Sequence, residues 1–308
     1  MLKNLLSKLS GGSSQQKKLR PLPRNVADSI LGVVGAKGIP PMVGSAQKAF
    51  KIAIDPKADA RDFIDVLESD ESLSARIIKV ANSVYYDRGK KSTSIEEAVQ
   101  IIGLNELRGL LNASSLNSVF PSSHPARAIA WNNDIATGII AKRLCQQVAQ
   151  DLVESAFLAG LMHDIGKLLL MQRAGEDYSK VILKVDSEGI PFHVAESEIF
   201  PFDHTEVGQL IAQRWGFTEE LTTAIRNHHQ SFSSFNGICL TGIIKAADIF
   251  AYLIGAGGKT ANRLRMKLEE QVDEAWDYLN IPLNDRKSAL ASFGKSFEFE
   301  VDLYRQQK

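Results

Sequence analysis

Cysteine is scarce in this chain: there are two, Cys145 and Cys239, far apart and in no C-x-x-C or zinc spacing. That excludes a disulfide framework and makes reducing cytosol the expected setting. Net charge is also missing, since 36 Lys and Arg face 36 Asp and Glu. Nucleic-acid binders usually carry a clear basic excess, so a phosphate backbone is not the expected main partner. Long apolar runs are absent as well. The oiliest stretch, "AADIFAYLIGAGG", contains Asp248 and falls short of the about 18 residues that a membrane span needs. The first residues show neither the h-region nor the cleavage site of a signal peptide, so the expected location is cytoplasmic.

Strand patterning is the last absence. Alternating tracts of Val, Ile, Thr and aromatics are few, and helical spacing takes their place. In "DARDFIDVLESD", Phe63, Ile64 and Leu67 fall on one stripe. "SIEEAVQIIGLNEL" opens on Ser94 with Glu97 three residues later, the pattern of a capping box, and Gly103 then ends or kinks that helix. The expected fold is all-α. Residues 1–20 read as an amphipathic segment (Leu2, Leu5, Leu6 and Leu9 between Lys3 and Lys8) followed by a flexible linker. They suit docking on the body or weak contact with a membrane or partner. "FPSSHP" at 120–125 divides the remainder into an N-terminal helical part, 21–123, and a helical core with a C-terminal extension, 124–308. Within that extension, residues 263–279 are expected to form one long amphipathic helix with Leu264, Leu268, Val272, Ala275 and Leu279 facing the core. The tail, alternating Phe297 and Phe299 with acids, is expected to end in a strand-like or extended segment.

Six histidines occur, and most of the chemistry gathers around them. His163 and Asp164 stand together in "LAGLMHDIGKLLL", where burying either one unpaired costs several kcal/mol. His204 follows Asp203, His228 and His229 close "LTTAIRNHHQ", and Asp248 sits in "IIKAADIFAYL". Imidazoles and carboxylates together suit divalent Fe, Mn, Ni, Zn or Mg. A carboxylate bridging two ions about 3.5–4 Å apart would support phosphoryl chemistry. Lys167, a turn after His163, is placed to meet a phosphate oxygen. Taken singly, each feature has a plain structural reading. His228 and His229 suit the negative end of a helix, Asp203 suits an N-cap, and His124 and His193 are read as surface or structural residues.

Taken in order, His-Asp, a separate His, His-His and Asp resemble the HD superfamily of metal-dependent phosphohydrolases, and particularly its HD-GYP branch. "GIPPMVG", "VLESDESLSARIIKVANSVYY" and "TSIEEAVQIIGLNELRGLL" in the first half are similar to the HDOD family. The resemblance implies an HD-domain, phosphodiesterase-like helical bundle with an N-terminal helical subdomain. It also implies a candidate metal set of His163, Asp164, His204, His228, His229 and Asp248, with Asp164 and Lys167 catalytic if the centre is active. The pattern has a gap. The histidine expected two residues after Trp131 is Asn133, and Asp134 beside it points about 100° away on an ideal helix. "GYP" is absent too. The resemblance with this gap implies a bacterial signal-transduction regulator without catalysis. Such a protein acts by binding another signalling protein or a small ligand around a degenerate metal site. The alternative is a phosphohydrolase acting on a nucleotide or cyclic dinucleotide. Arg88, Lys90 and Lys91 beside aromatics read as a solvated loop rather than a DNA contact.

Overall fold

The computed structural model describes residues 19–305, apart from 36–37, 43, 56, 87–88, 90 and 259–267. The amphipathic segment at 1–9, Leu264, Arg88 and Lys90 therefore lie outside the described residues. Among the described residues there are sixteen α-helices and no strand. The first six are α1 Arg24–Val34, α2 Gly44–Ile54, α3 Ala60–Glu68, α4 Glu71–Ala81, α5 Ile95–Ile102 and α6 Leu104–Val119. After the 120–126 break come α7 Arg127–Val148, α8 Val153–Met162, α9 Ile165–Arg173, α10 Gly175–Glu188 and α11 Phe192–Ile199. The last five are α12 His204–Trp215, α13 Glu219–Asn227, α14 Leu240–Leu253, α15 Val272–Tyr278 and α16 Leu283–Tyr304.

Local chemistry starts and stops these helices. Asp59 and Asp203 each accept backbone N–H bonds at the heads of α3 and α12, with reciprocal bonds from Asp62 and Glu206 completing capping boxes. At α5 the box is only half formed. Ser94 caps Glu97 N–H, but the Glu97 carboxylate accepts from Thr93, one residue earlier than the motif requires. Gly103, at φ 78°, turns α5 into α6.

Two expectations for the C-terminus are corrected. The tail is helical through Tyr304, because its buried positions Phe293, Ser296, Glu300, Val301 and Tyr304 recur at three- and four-residue spacing. Phe299 instead faces solvent. The long helix expected over 263–279 is broken by a 3₁₀ turn at Glu269–Gln271, leaving α15 as two turns. Ala275 and Leu279 are buried as expected, whereas Leu268 and Val272 are only partly so.

The long α7 is the axis of the molecule, lying against α8, α9, α14 and α16. It meets α8 at glycines: a Cβ on Gly160 would come within 2.6 Å of the Gly138 backbone. A second close approach joins α9 to α12, where a Cβ on Gly166 would overlap the His204 carbonyl oxygen. The glycine of "HDIGK" is thus a packing requirement. It lets the helix after Asp164 lie directly on the helix that begins at His204.

The N-terminal stretch runs over this second half. α1 packs on α9 and α12. The Arg20 carbonyl accepts from Gln209 Nε2 at 2.9 Å, the Pro40 carbonyl from Trp215 Nε1 at 3.2 Å, and Leu19 N–H donates to Glu219 at 3.1 Å.

Gly166→Ala is expected to destabilise the protein by at least the about 1–3 kcal/mol typical of overpacking, because the clash is with backbone that cannot rotate away. Urea unfolding followed by circular dichroism measures this, and a loss below 0.5 kcal/mol (roughly the scatter of surface substitutions) would contradict it.

Candidate metal centre

The His-Asp dipeptide sits at a junction between helices. α8 ends at Met162, His163 is its C-cap, Asp164 adopts φ −103° and ψ 16°, and α9 starts at Ile165. This break turns both side chains inward, where His163 is 0% and Asp164 3% exposed. It also turns Lys167 onto Asp164. The ammonium lies 2.5 Å from Asp164 Oδ2 and 4.5 Å from the centre of the Phe192 ring. The lysine expected to meet a phosphate oxygen thus lies on Asp164.

Three imidazoles are locked in one orientation. His163 Nδ1 is 2.7 Å from the Gly160 carbonyl, and His228 Nδ1 is 2.9 Å from the Ile225 carbonyl. A carbonyl only accepts, so both Nδ1 atoms carry the hydrogen, and a neutral ring presents its Nε2 lone pair inward. His204 Nδ1 lies 2.6 Å from Glu196 Oε2, which also accepts the His204 backbone N–H at 2.8 Å. Tyr178 O–H donates to the other Glu196 oxygen at 2.8 Å. Glu196 is fully buried, and it positions His204 as carboxylates position metal-binding histidines elsewhere.

The inward atoms then crowd one another. His204 Nε2 is 3.0 Å from Asp164 Oδ1, 3.1 Å from His229 Nε2 and 3.5 Å from His228 Nε2, while His228 Nε2 is 3.7 Å from Asp164 Oδ1. Donor atoms of Asp164, His204, His228 and His229 all lie within 4.8 Å of one another, and so do those of Asp134, His163 and Asp164. Asp164 belongs to both groups. Its Oδ1 and His163 Nε2 are buried without a hydrogen-bond partner. Lone pairs that face each other need a cation or a proton between them, so the donor set fits a divalent ion.

His163 Nε2 also faces Asp248 Oδ1 at 3.4 Å. That oxygen receives the Asn133 Nδ2 hydrogen bond at 2.9 Å. Where the family pattern has a histidine, the chain therefore supplies an amide donor that occupies Asp248 and leaves Asn133 Oδ1 buried without a partner.

Three residues at the centre escaped sequence reasoning. Asp134, expected to point away, is 0% exposed with both oxygens unpartnered, and it lies 3.8 Å from His163 Nδ1. The crossing of α7 and α8 at Gly138 and Gly160 brings its face toward His163, which a single-helix argument does not include. His193, read as structural, stacks on His229 with ring centres 4.2 Å apart. Glu196 carried no local signal, because its link to His204 is made by the fold. His124 lies apart from the group, with Nε2 3.0 Å from Ser179 Oγ.

Burial and charge divide the group. Burial pushes the His163 and His204 imidazoles down, but Asp164 and Asp248 pull His163 back up to about 9, and Glu196 and Asp164 do the same for His204, also to about 9. Burial holds His228 and His229 below the ordinary histidine range. Burial also raises Asp134 to about 8, against the pull of His163. For Asp164 burial is outweighed by His163, Lys167 and His204, and its carboxyl stays well below the usual range.

The HDOD domain model matches residues 39–231, more than half of the chain. The chain belongs to the HDOD family. An HDOD domain protein of unknown function from Geobacter sulfurreducens shares its fold with a TM-score of 0.74 and 24% identity, over 92% of this chain and 98% of that one. A provisionally named phosphohydrolase from Shewanella amazonensis SB2B superposes with a TM-score of 0.69 at 23% identity, covering 89% and 98%. A provisionally named signal transduction protein from Marinobacter aquaeolei VT8 does so at 0.70 and 20%, covering 99% and 66%. An uncharacterized protein of Treponema pallidum (strain Nichols) is 27% identical over 215 residues, which are 70% of this HDOD chain and 41% of that relative's length. The family rests on the domain-model match, and the structural likenesses show the fold. No described helix is long and apolar enough to cross a membrane.

A pH prediction follows for the metal-free protein. His163 and His204 have folded values raised to about 9, so the stability they contribute is complete below the unfolded value near 6.5 and is lost as pH rises through 9. Asp134, raised to about 8, acts in the same direction over its upper range. The melting temperature in chelator should therefore fall between pH 6.5 and 9, and a flat or rising profile would contradict the assignment.

Proposed function

We propose that this chain is a non-catalytic regulator in bacterial signal transduction. In this reading its HD cluster ties the helices together and holds at most one divalent ion, and the protein acts by binding a signalling protein or a small ligand. The single observation carrying the reading is what stands on the His163 side of Asp164. The Lys167 ammonium lies on Asp164 Oδ2, and the Asn133 amide lies on Asp248. A second ion would have to displace a buried cation and find an amide where an imidazole is needed. The other side is equipped: Asp164, His204, His228 and His229 offer three imidazoles and one carboxylate, a set suited to Zn, Fe, Mn or Ni more than to Mg.

An ion held there would act as a Lewis acid, but the paired geometry that clamps attacking and leaving oxygens needs two. Hydrogen bonds at Nδ1 aim the Nε2 atoms of His163, His204 and His228 inward, at positions closed to solvent. Cys145 and Cys239 are free thiols, consistent with a cytoplasmic setting. The complete four-donor group is what favours the alternative, a metal-dependent phosphohydrolase acting on a nucleotide or cyclic dinucleotide.

Elemental analysis and a bis(p-nitrophenyl) phosphate assay separate the two. The expected result is no more than one ion per chain and no turnover. His204→Ala should abolish retention of that ion, and Glu196→Gln should weaken it about 10- to 100-fold. Asn133→His should raise uptake toward a second ion. Two ions in the natural chain, with hydrolysis that disappears in Asp164→Ala, would establish the phosphohydrolase instead.

A further inference from the structure

The four donors around Asp164 are not held alike. His204 and His228 are 0% exposed and Asp164 3%, whereas His229 is only partly buried. It lies in the turn past the end of α13. His204 and His228 are fixed through Nδ1, by Glu196 and by the Ile225 carbonyl. His229 has no such anchor. Its Nε2 is 3.1 Å from His204 Nε2, and its Nδ1 makes no hydrogen bond among the described residues. A metal-binding imidazole is normally oriented by a partner on its other nitrogen, so this ring is set by something else.

Neighbouring rings set it. His193 stacks on His229 with centres 4.2 Å apart and planes 26° apart, a geometry in which aromatic rings attract. His228 lies 4.0 Å away at 52°, and His204 meets it edge-on at 5.0 Å. Of the three, only His193 stands outside the four-donor group. Neither of its ring nitrogens makes a hydrogen bond among the described residues, and Nδ1 is buried. What bears on His229 is therefore the face of the His193 ring.

The placement of His193 follows from α11. Phe192, His193 and Glu196 share one face of that helix through their three- and four-residue spacings. Phe192 meets the Lys167 ammonium, His193 meets His229, and Glu196 meets His204. A two-turn helix thus backs three members of the centre.

We infer that His193 is a positioning residue of the metal centre. Its ring holds His229, the partly exposed donor past which an ion enters and leaves, in register with Asp164, His204 and His228. The inference rests on the reading that one ion occupies the four-donor side. Without the His193 face, His229 is free to swing toward solvent, and an ion keeps only the three donors closed to water. Release then quickens more than capture slows.

Cobalt(II) titrated into the metal-free full chain tests this, since calorimetry gives its affinity and its visible spectrum reports its ligands. His193→Ala should weaken binding about 10- to 100-fold, the usual loss for a residue behind a ligand. The loss should appear mainly as faster release to a chelator, with an altered cobalt spectrum. His193→Phe keeps a ring and gives up only unpartnered nitrogens, so it should recover most of the affinity and the natural spectrum. In a His229→Ala background, His193→Ala should cost less than about twofold further. If His193→Ala fails to fold, His193→Leu, which has bulk but no planar face, takes its place. Equal losses in His193→Phe and His193→Ala would make His193 a donor rather than a support and overturn the inference. An undiminished loss in the His229→Ala background, unaltered affinity in His193→Ala, or a natural chain that takes up no cobalt(II) would overturn it too. Two ions with hydrolysis in the natural chain would overturn the regulatory reading instead. The effect of His193 on the ion lost in His204→Ala would still be measurable there.

Discussion

Asp164 is one carboxylate with four claimants. His163 is its neighbour in the chain, Lys167 comes from the next turn, and His204 and His228 arrive from the heads and ends of other helices. A buried carboxylate is tolerable only if charge and hydrogen bonds surround it, and here several helices converge to supply them. The glycine approaches at 138, 160 and 166 follow from that requirement, since only bare backbone lets α7, α8, α9 and α12 come close enough. Glu196 and Tyr178 then hold His204 from behind. The centre and the packing of the helices around it are thus one construction.

Much of this was legible in the sequence. Helical periodicity sufficed for the fold class, and Asp203 and Gly103 marked boundaries where capping chemistry is local. His163, Asp164, His204, His228 and Asp248 do converge, and His229 closes the group. The misreadings share a cause. Asp134 was judged on the geometry of one helix, although its surroundings are set by a crossing of two. The helix assumed to run on through Lys167 breaks at the dipeptide. Phe297 and Phe299 alternate in sequence, but the helix buries residues around them at a different period. Glu196 had nothing near it to give it away.

The balance between a regulator and an enzyme rests on how charge is distributed around the same carboxylate. Family membership alone leaves both open. Asn133, where the resemblance leads one to expect an imidazole, donates to Asp248, and Lys167 brings a fixed positive charge. These two contacts engage Asp164 Oδ2 and Asp248 on one side of the centre, whereas the four-donor side retains facing lone pairs. A centre of that kind is asymmetric by construction, and its two halves respond differently to protons and to ions.

The stretch from Leu19 to Pro40 has another consequence. Its partners Gln209, Trp215 and Glu219 lie 175 to 200 residues downstream. Contacts so distant along the chain close late, because the loop entropy must be lost before they form. During synthesis Ile30 and Val34, buried in the finished protein, stay without the packing of α9 and α12 until those helices have emerged. Residues made early are therefore covered by these helices only once the second half of the chain is being made.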